Sequence, residues 1–245
     1  MKAAALRALH VPGNPVVLPN AWDAASARAV VAAGFPALAT SSGAVAVSLG
    51  FTDGEGTPVA EMLDAVARIA GAVEVPVTAD IERGYGLSPA QIVERLAATG
   101  AVGCNLEDSV PGQRRMVDTA EQVEFLIAVR EAAVHSGVDL VLNARVDVYV
   151  RGDDPPEVRL AAALDRSKRY LAAGADCVYP IALWEPDAVA AFVAGADGPV
   201  NVTAVPQSAS LDDLAALGVA RVSWALSLFR QTMGFFEQQL ASLRS

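Results

Sequence analysis

The 245-residue chain is long enough for one large α/β domain, and with 53% hydrophobic residues it is too apolar for a disordered protein. Its net charge of −10 disfavours nucleic acid and anionic membrane surfaces as partners. Charges, Gly or Pro interrupt every apolar stretch before it reaches the length of a membrane span, and the N-terminus lacks the apolar core of a signal peptide, so we expect a cytoplasmic protein.

Short apolar runs alternate with helical segments along the chain. After a short helix within residues 1–10, these runs predict eight strands, at residues 16–19, 37–40, 75–80, 101–107, 139–145, 176–180, 200–203 and 221–225. The second strand ends in a Ser41-Ser42-Gly43 turn, and residues 50–56 are expected to form a loop. The last segment, residues 226–243, has the pattern of an amphipathic helix.

Eight successive strand–helix units predict a (β/α)8 TIM-type barrel. A doubly wound open sheet is the main alternative, and it is less favoured because no Gly-x-Gly-x-x-Gly motif follows the first strand. Since no linker or low-complexity segment divides residues 1–245, we expect a single barrel domain over that range.

Several common chemistries lack the residues that they need. His10 and His135 cannot assemble a histidine-based zinc site, and their helical contexts disfavour a Ser-His-Asp triad. Cys104 and Cys177 lie in apolar runs, which is typical of buried structural thiols. Lys168 falls within a helical segment, which disfavours Schiff-base chemistry. Carboxylates, arginines, hydroxyls and backbone amides remain as the functional groups.

Acidic residues gather where successive predicted strands end. Asp80 and Glu82 end the third strand two residues apart, which predicts that they share a face, and Glu107 ends the fourth. Neighbouring parallel strands lie about 4.8 Å apart, so these acids can converge, with Asp53 approaching from the preceding loop. Oxygen ligands without His or Cys favour a hard cation, and Mg²⁺ fits. The alternative is that the acids cap helices or pair with arginines.

Candidate anion-binding groups occur at the same edge. Gly43 allows the backbone amides of Ser42, Gly43 and Ala44 to approach a carboxylate or phosphate, although Ser-Gly is also common in ordinary turns. Arg145 ends the fifth strand, where its guanidinium can bind a carboxylate in bidentate fashion or pair with a neighbouring acid. Asn201, at the end of the seventh strand, can reach a second polar group of a substrate or satisfy the backbone.

These residues together resemble the isocitrate lyase and phosphoenolpyruvate mutase superfamily over nearly the whole chain. Five ordered segments carry the resemblance: Ser42-Gly43, Phe51-Thr-Asp53-Gly-Glu55, Asp80-Ile-Glu-Arg-Gly-Tyr-Gly86, Asn105-Leu-Glu-Asp108 and Asn143-Ala-Arg145. The resemblance implies a Mg²⁺-dependent barrel that makes or breaks a C–C or P–C bond next to a carboxylate. The implied metal shell is Asp80, Glu82 and Glu107. The implied groups that hold the substrate are Ser42, Gly43, Ala44 and Arg145.

Two segments depart from the pattern of the superfamily. Isocitrate and methylisocitrate lyases carry Cys and His in the loop after the fourth strand, whereas residues 110–116 read Val-Pro-Gly-Gln-Arg-Arg-Met. Ile181 stands where the superfamily has a Glu after the sixth strand. The chain thus resembles a short-loop branch. Members usually form oligomers that exchange a C-terminal helix, which implies a homo-oligomer here, either a dimer or a tetramer.

The leading hypothesis is a lyase that cleaves or forms a C–C bond in a small 2-hydroxy or 2-oxo acid. Asp53 and Tyr85 are the candidates for moving a proton, and Arg145 would neutralise substrate oxygens. Phosphonate chemistry is the second hypothesis, and a non-catalytic barrel that binds 2-oxo acids is the third. We also expect Arg114 and Arg115, in a loop over residues 109–117, to close on an anionic substrate.

Overall fold

A computed structural model describes residues 1–113 and 115–243, which form a parallel barrel with surrounding helices. The strands are β1 (Val16–Leu18), β2 (Asn20–Ala21), β3 (Leu38–Thr40), β4 (Val77–Asp80), β5 (Gly103–Glu107), β6 (Val141–Val146), β7 (Cys177–Pro180), β8 (Asn201–Thr203) and β9 (Arg221–Ser223). The helices are α1 (Lys2–Ala8), α2 (Ala24–Ala32), α3 (Ser42–Leu49), α4 (Val59–Gly71), α5 (Pro89–Thr99), α6 (Thr119–His135), α7 (Val148–Arg151), α8 (Pro156–Ala172), α9 (Pro186–Gly195), α10 (Leu211–Ala216) and α11 (Ser227–Ser242). Arg114, which we expected to meet the substrate, lies outside the described residues.

One strand, interrupted at Pro19, closes the barrel. β1 lies before this proline and pairs with β9, whereas β2 lies after it and pairs with β3, both in parallel. Proline cannot donate to the ladder, so it divides the strand. β7 and β8 meet at a parallel bridge between Val178 and Val200, which completes the circuit. With β1 and β2 taken as one strand, the predicted (β/α)8 barrel is confirmed.

The strands are buried along almost their whole length, as expected for a parallel sheet that is covered on its outer face by helices. In α4, for example, Met62 and Ile69 are buried at helical spacing. Leu6 of α1 packs with Leu18 and with Val141, the first residue of β6, so α1 covers the amino end of the barrel. Among the described residues, no helix is long and apolar enough to cross a membrane.

The segment after β3 differs from the prediction, because the expected turn opens the helix α3. Ser41 is its N-cap, with a side-chain oxygen that accepts from the amide of Ala44, and Gly50 ends it in a left-handed conformation at φ 88°. The helix itself carries apolar residues on all of its faces, so its sequence shows no helical periodicity. The consequence for the site is that Ser42 and Gly43 occupy the first helical turn at the mouth of the barrel.

Candidate active site

A pocket of about 130 Å³ lies at the carboxyl ends of the barrel strands. It is lined by five of the predicted site residues, namely Ser42, Gly43, Asp53, Asp80 and Arg145. The remaining lining residues are Asn20, Ser41, Asn105, Tyr179, Ile181, Ser223, Ala225 and Leu226. Residues that are distant in sequence meet here because parallel strands all end at one edge.

Ser42 holds the carboxylate of Asp80. Its amide donates to Oδ2 of Asp80 at 3.1 Å, and its hydroxyl donates to the same oxygen at 2.8 Å. The other oxygen, Oδ1, is buried and has no hydrogen-bond partner among the described residues. Gly43 lets Asp53 lie beside this pair, since a Cβ at position 43 would come 3.0 Å from Oδ2 of Asp53. Burial, and then the charge of Asp80, raise the pKa of Asp53.

Glu82 is held beyond the end of β4. That strand stops at Asp80, and Glu82 has a left-handed backbone with φ 51°, so the same-face argument for a strand does not apply to this pair. Tyr85 donates its hydroxyl to Oε1 of Glu82 at 2.6 Å, and the amide of Glu55 donates to Oε2 at 2.6 Å. Burial raises the pKa of Glu82 to about 7 despite these bonds, and the nearby charge of Asp80 adds to the shift.

The position of Tyr85, one of our two candidates for moving a proton, bears on that role. Its hydroxyl points to Glu82, and Tyr85 is absent from the described lining of the pocket. Burial and the charge of Glu82 raise its pKa, so the phenol stays protonated and acts as a fixed donor. In this geometry the hydroxyl of Tyr85 holds the carboxylate of Glu82.

Arg145 is shared by two carboxylates. Its Nε donates to Oδ1 of Asp147 at 2.6 Å, Nη2 donates to Oδ2 at 3.1 Å, and Nη1 lies 2.7 Å from Oε2 of Glu107. The bidentate fork that we expected for a substrate is thus occupied by Asp147, although Arg145 still lines the pocket. Burial raises the pKa of Glu107, and Arg145 opposes this effect. Burial lowers the pKa of Arg145, but Glu107 and Asp147 together raise it well above its usual value.

A buried network supports Asp147 from behind. The amide of Asp147 donates to Oδ1 of Asp108 at 2.8 Å, and Oδ2 of Asp108 accepts from the hydroxyl of Tyr170 at 2.7 Å and from Arg166 at 3.0 Å. Burial and the charge of Asp147 raise the pKa of Asp108 to about 6. Asp108 therefore pairs with an arginine, which is the alternative that we gave for the acids at this edge of the barrel. It also holds the end of the strand that carries Arg145.

The predicted metal ligands are close enough to influence one another without forming a closed cage. The charges of Asp80 and Glu82 both add to the raised pKa of Glu107. Within residues 1–113 and 115–243, however, no three His, Cys, Asp or Glu side chains are arranged so that they could enclose a metal ion. Among the described residues of this acidic rim, Oδ1 of Asp80 is a buried carboxylate oxygen without a hydrogen-bond partner.

Two predicted substrate-binding residues do not line the pocket in the described structure. The amide of Ala44 donates to the hydroxyl of Ser41 at 3.4 Å, so it serves the helix cap. Asn201 is the first residue of β8, not the last, and is buried below the pocket, where it accepts a 3.2 Å hydrogen bond from Ser223. Ser223 lines the pocket instead of Asn201.

We predicted no role for several other residues that line the pocket. Asn20 joins two strand ends, since it donates to the carbonyl of Thr40 at 2.8 Å and accepts from the amide of Trp224 at 2.8 Å. The hydroxyl of Tyr179 lies 2.7 Å from Oγ1 of Thr203. Each of these lining residues stands at or near a strand end. This position is the signal by which the sequence could have indicated that they line the pocket.

The parallel barrel and the acidic pocket at its carboxyl edge define an enzyme of the TIM-barrel class, in which sites occupy this face. The sequence model of the phosphoenolpyruvate phosphomutase family matches residues 6–244, and the chain belongs to this family. The predicted membership in the isocitrate lyase and phosphoenolpyruvate mutase superfamily is thereby confirmed.

Relatives with known names support the same conclusion. A Burkholderia cenocepacia J2315 structure, provisionally described as that of a phosphonomutase, matches with a TM-score of 0.93 and 41% identity, over 98% of this chain and 99% of its own. The 2-methylisocitrate lyase of Salmonella typhimurium is 31% identical over 92% of this chain and 79% of its own. The phosphoenolpyruvate phosphomutase of Streptomyces hygroscopicus is 31% identical over 89% and 72%, respectively. The chain is therefore similar to C–C lyases and to mutases.

Proposed function

We propose that this protein is a Mg²⁺-dependent lyase that cleaves or forms a C–C bond next to a carboxylate in a small 2-hydroxy or 2-oxo acid. The observation that carries this proposal is the unpartnered, buried Oδ1 of Asp80 in a pocket that also contains Asp53 and Arg145. A buried carboxylate oxygen without a donor is costly, and a cation is the partner that its charge favours.

The described residues fit Mg²⁺. Asp80, Glu82 and Glu107 would hold it, directly or through water, and Mg²⁺ characteristically keeps several waters and uses few carboxylates. Burial, and after it repulsion from neighbouring acids, raises the pKa values of Glu82 and Glu107, and a cation would offset both effects. When bound, Mg²⁺ would supply Lewis-acid stabilisation of negative charge on substrate oxygens.

The residues of the chain would divide the remaining tasks. Arg145 has five N–H groups, of which Asp147 takes two and Glu107 faces a third, so two would remain for a substrate carboxylate. Ser42 and Gly43 would shape the other side of the pocket. Asp53 lines the pocket with a raised pKa and is our candidate for holding and transferring a proton. Tyr85 would keep Glu82 in position.

Phosphonate chemistry is the second candidate function. The matching family is named for phosphoenolpyruvate phosphomutase, and the Burkholderia structure at 41% identity is provisionally a phosphonomutase. In this case Asp53 would lie nearest the transferred phosphoryl group, since it occupies the pocket beside Ser42 and Asp80.

One assay separates these functions. The protein is incubated with Mg²⁺ and with 2-hydroxy dicarboxylic acids, oxaloacetate or phosphonopyruvate, and products are followed by proton and phosphorus NMR. Asp80→Asn should abolish turnover, whereas Asp64→Asn, an exposed acid on α4, is the matched control. Carbon-skeleton cleavage supports the lyase, and phosphorus transfer supports the second candidate. A thermal shift with every ligand but no product would indicate a non-catalytic binding barrel, and turnover in EDTA would contradict the Mg²⁺ proposal.

We propose further that the protein forms a homo-oligomer through α11. None of the described residues of this helix is buried, and it exposes Phe235 at 63%, Phe236 at 52% and Leu240 at 45%. An amphipathic helix with an exposed apolar face needs a partner surface. A second copy of the chain is the partner that membership in this superfamily favours.

A further inference from the structure

The barrel interior contains polar side chains at the pocket floor and below it, toward the amino end. In most (β/α)8 barrels, bulky branched apolar residues fill the interior layers. Strand register here aligns Asn105 with Asn143 and Cys177, and it aligns Asn201 with Arg221. All five residues are buried, and Arg221 exposes 0% of its surface. Burying polar groups costs free energy, so we expect these side chains to serve a function.

Arg221 crosses the barrel to reach Asn105. β9 and β5 stand on opposite sides of the closed sheet, and Nη2 of Arg221 lies 3.4 Å from Oδ1 of Asn105. Among the described residues, Nε and Nη1 have no hydrogen-bond partner, and no carboxylate forms an ion pair with this guanidinium. The Nδ2 group of Asn143 donates to the same oxygen of Asn105 at 2.8 Å.

These contacts fix the direction of the Asn105 amide. A guanidinium has donors but no acceptor, so only the carbonyl oxygen of Asn105 can face Arg221. The NH₂ group must then face away from Arg221 and Asn143, and Asn105 is one of the residues that line the pocket. In register, Asn105 stands beside Asp80. The pocket floor therefore offers two N–H donors next to the carboxylate that we propose for the metal.

We propose that Arg221 is a positioning residue that locks the side-chain amide of Asn105, and that Asn105 selects substrates with an acceptor oxygen at the pocket floor. Carboxylate, carbonyl and phosphonyl oxygens satisfy this requirement, whereas an ammonium group or the NH₂ end of an amide at the same place would meet donors with donors. The inference rests on the proposed function, since it specifies which end of the anionic substrate enters first.

Asn105→Asp tests the direction of the amide with two small probes. Oxalate presents only acceptor oxygens, whereas oxamate carries an NH₂ group at one end. Calorimetry with Mg²⁺ should show that wild type prefers oxalate, and that Asn105→Asp lowers the oxalate-to-oxamate affinity ratio about 10-fold or more, the scale of a mismatched buried polar group. Asn201→Asp is the matched control, because it adds the same charge to the barrel interior outside the pocket and should leave the ratio largely unchanged.

Arg221→Met tests the positioning role. Once Arg221 no longer holds Oδ1, Asn105 can rotate, so the affinity ratio should fall several-fold while the affinity for Mg²⁺ alone stays the same. Arg221→Lys should recover part of the ratio, because an ammonium still donates to Oδ1. A purely structural role would lower the melting temperature but leave the ratio unchanged. If Arg221→Met does not fold, Asn143→Leu removes the other donor to Oδ1, and the same fall is expected.

The outcomes separate this inference from the proposed function. If wild type binds oxalate with Mg²⁺ and Asn105→Asp keeps the wild-type ratio, the inference is wrong and the Mg²⁺-dependent site stands. An equal fall in Asn105→Asp and Asn201→Asp also overturns it, since charge alone then explains the change. If wild type binds neither probe with Mg²⁺, the proposed function fails and the inference fails with it.

Discussion

The hydroxyl of Tyr85 donates a 2.6 Å hydrogen bond to Oε1 of Glu82, three residues earlier in the chain. Both residues have left-handed backbone conformations, with φ 56° for Tyr85 and 51° for Glu82. Such conformations cost energy in residues other than glycine, and they persist where the surrounding structure requires them. The turn after β4 is thus shaped to present one carboxylate.

Replacing Tyr85 by Phe should weaken Mg²⁺ binding about 10-fold, the typical effect of removing a hydrogen bond to a charged group. The alkaline side of the pH–rate profile should not move, because the phenol of Tyr85 is a fixed donor with a raised pKa. Calorimetry with MgCl₂ and a pH–rate profile measure the two effects. Tyr149→Phe is the control, since the hydroxyl of Tyr149 has no hydrogen-bond partner among the described residues. A lost alkaline limb in Tyr85→Phe would identify the phenol as a proton-transfer group.

The raised pKa of Glu82 predicts how stability depends on pH without metal. Its pKa is about 7 in the folded protein against an ordinary value of 4.5, so between these values the folded state holds a proton that the unfolded chain has lost. The free energy of unfolding should therefore fall as pH rises through this window, and the penalty should be complete above pH 7. Added Mg²⁺ should raise the melting temperature more at pH 8 than at pH 5.

Thermal unfolding from pH 4.5 to 8, in EDTA and in MgCl₂, measures this dependence. Glu82→Gln should flatten the metal-free curve in that window and reduce the effect of Mg²⁺. Glu94→Gln, at an exposed position on α5, should leave both unchanged. Equal Mg²⁺ stabilisation at pH 5 and pH 8 would contradict a metal site at these carboxylates.

The strands and their functional ends were predictable because each is a short apolar run followed by a charged or polar residue. Asp80, Glu107 and Arg145 lie at or next to the strand ends that the sequence indicates. The helix α3 was not predictable in this way, since its mostly apolar sequence carries no 3.6-residue period. Its signals were local, namely the Ser41 cap and the terminal Gly50.

Contacts that depend on register across the barrel could not be predicted from local patterns. Arg221 reaches Asn105, which is 116 residues away in sequence, only because the sheet closes. We predicted Asn201 at the pocket, but it lies in the barrel interior because β8 begins at this residue. A shift of two residues along a strand decides which layer a side chain joins. The pairing of Arg145 with Asp147 depended likewise on how the strand β6 ends.

Disrupting the apolar face of α11 should convert the expected oligomer to monomers. Phe235→Ser combined with Phe236→Ser removes two exposed rings that a partner copy would bury, each contributing on the order of 1.5–3 kcal/mol. Analytical ultracentrifugation measures the change in mass. Val134→Ser is the control, because Val134 is 73% exposed on α6 and should not affect assembly. A monomeric wild type would refute the proposed role of α11.

The last prediction concerns the cation that meets the substrate. Arg145 contacts Asp147 through Nε and Nη2 and Glu107 through Nη1, so one planar group connects two elements and still faces the pocket. A lysine at position 145 keeps the charge but concentrates its donors at one atom. It cannot reach Asp147, Glu107 and a substrate carboxylate at once.

Arg145→Lys should therefore weaken the binding of a 2-oxo acid by roughly 1–3 kcal/mol, the scale of a charge-assisted hydrogen bond. Calorimetry with oxaloacetate, 2-oxoglutarate and pyruvate measures the loss, first with Mg²⁺ and then with EDTA. Arg28→Lys, at an exposed position on α2, should bind as wild type does and controls for the substitution itself. The effect should appear mainly in the substrate affinity, because Asp80 and Glu82 are unchanged and still available to Mg²⁺. Wild-type affinity in Arg145→Lys, or binding that EDTA does not weaken, would exclude this arrangement of substrate, arginine and metal.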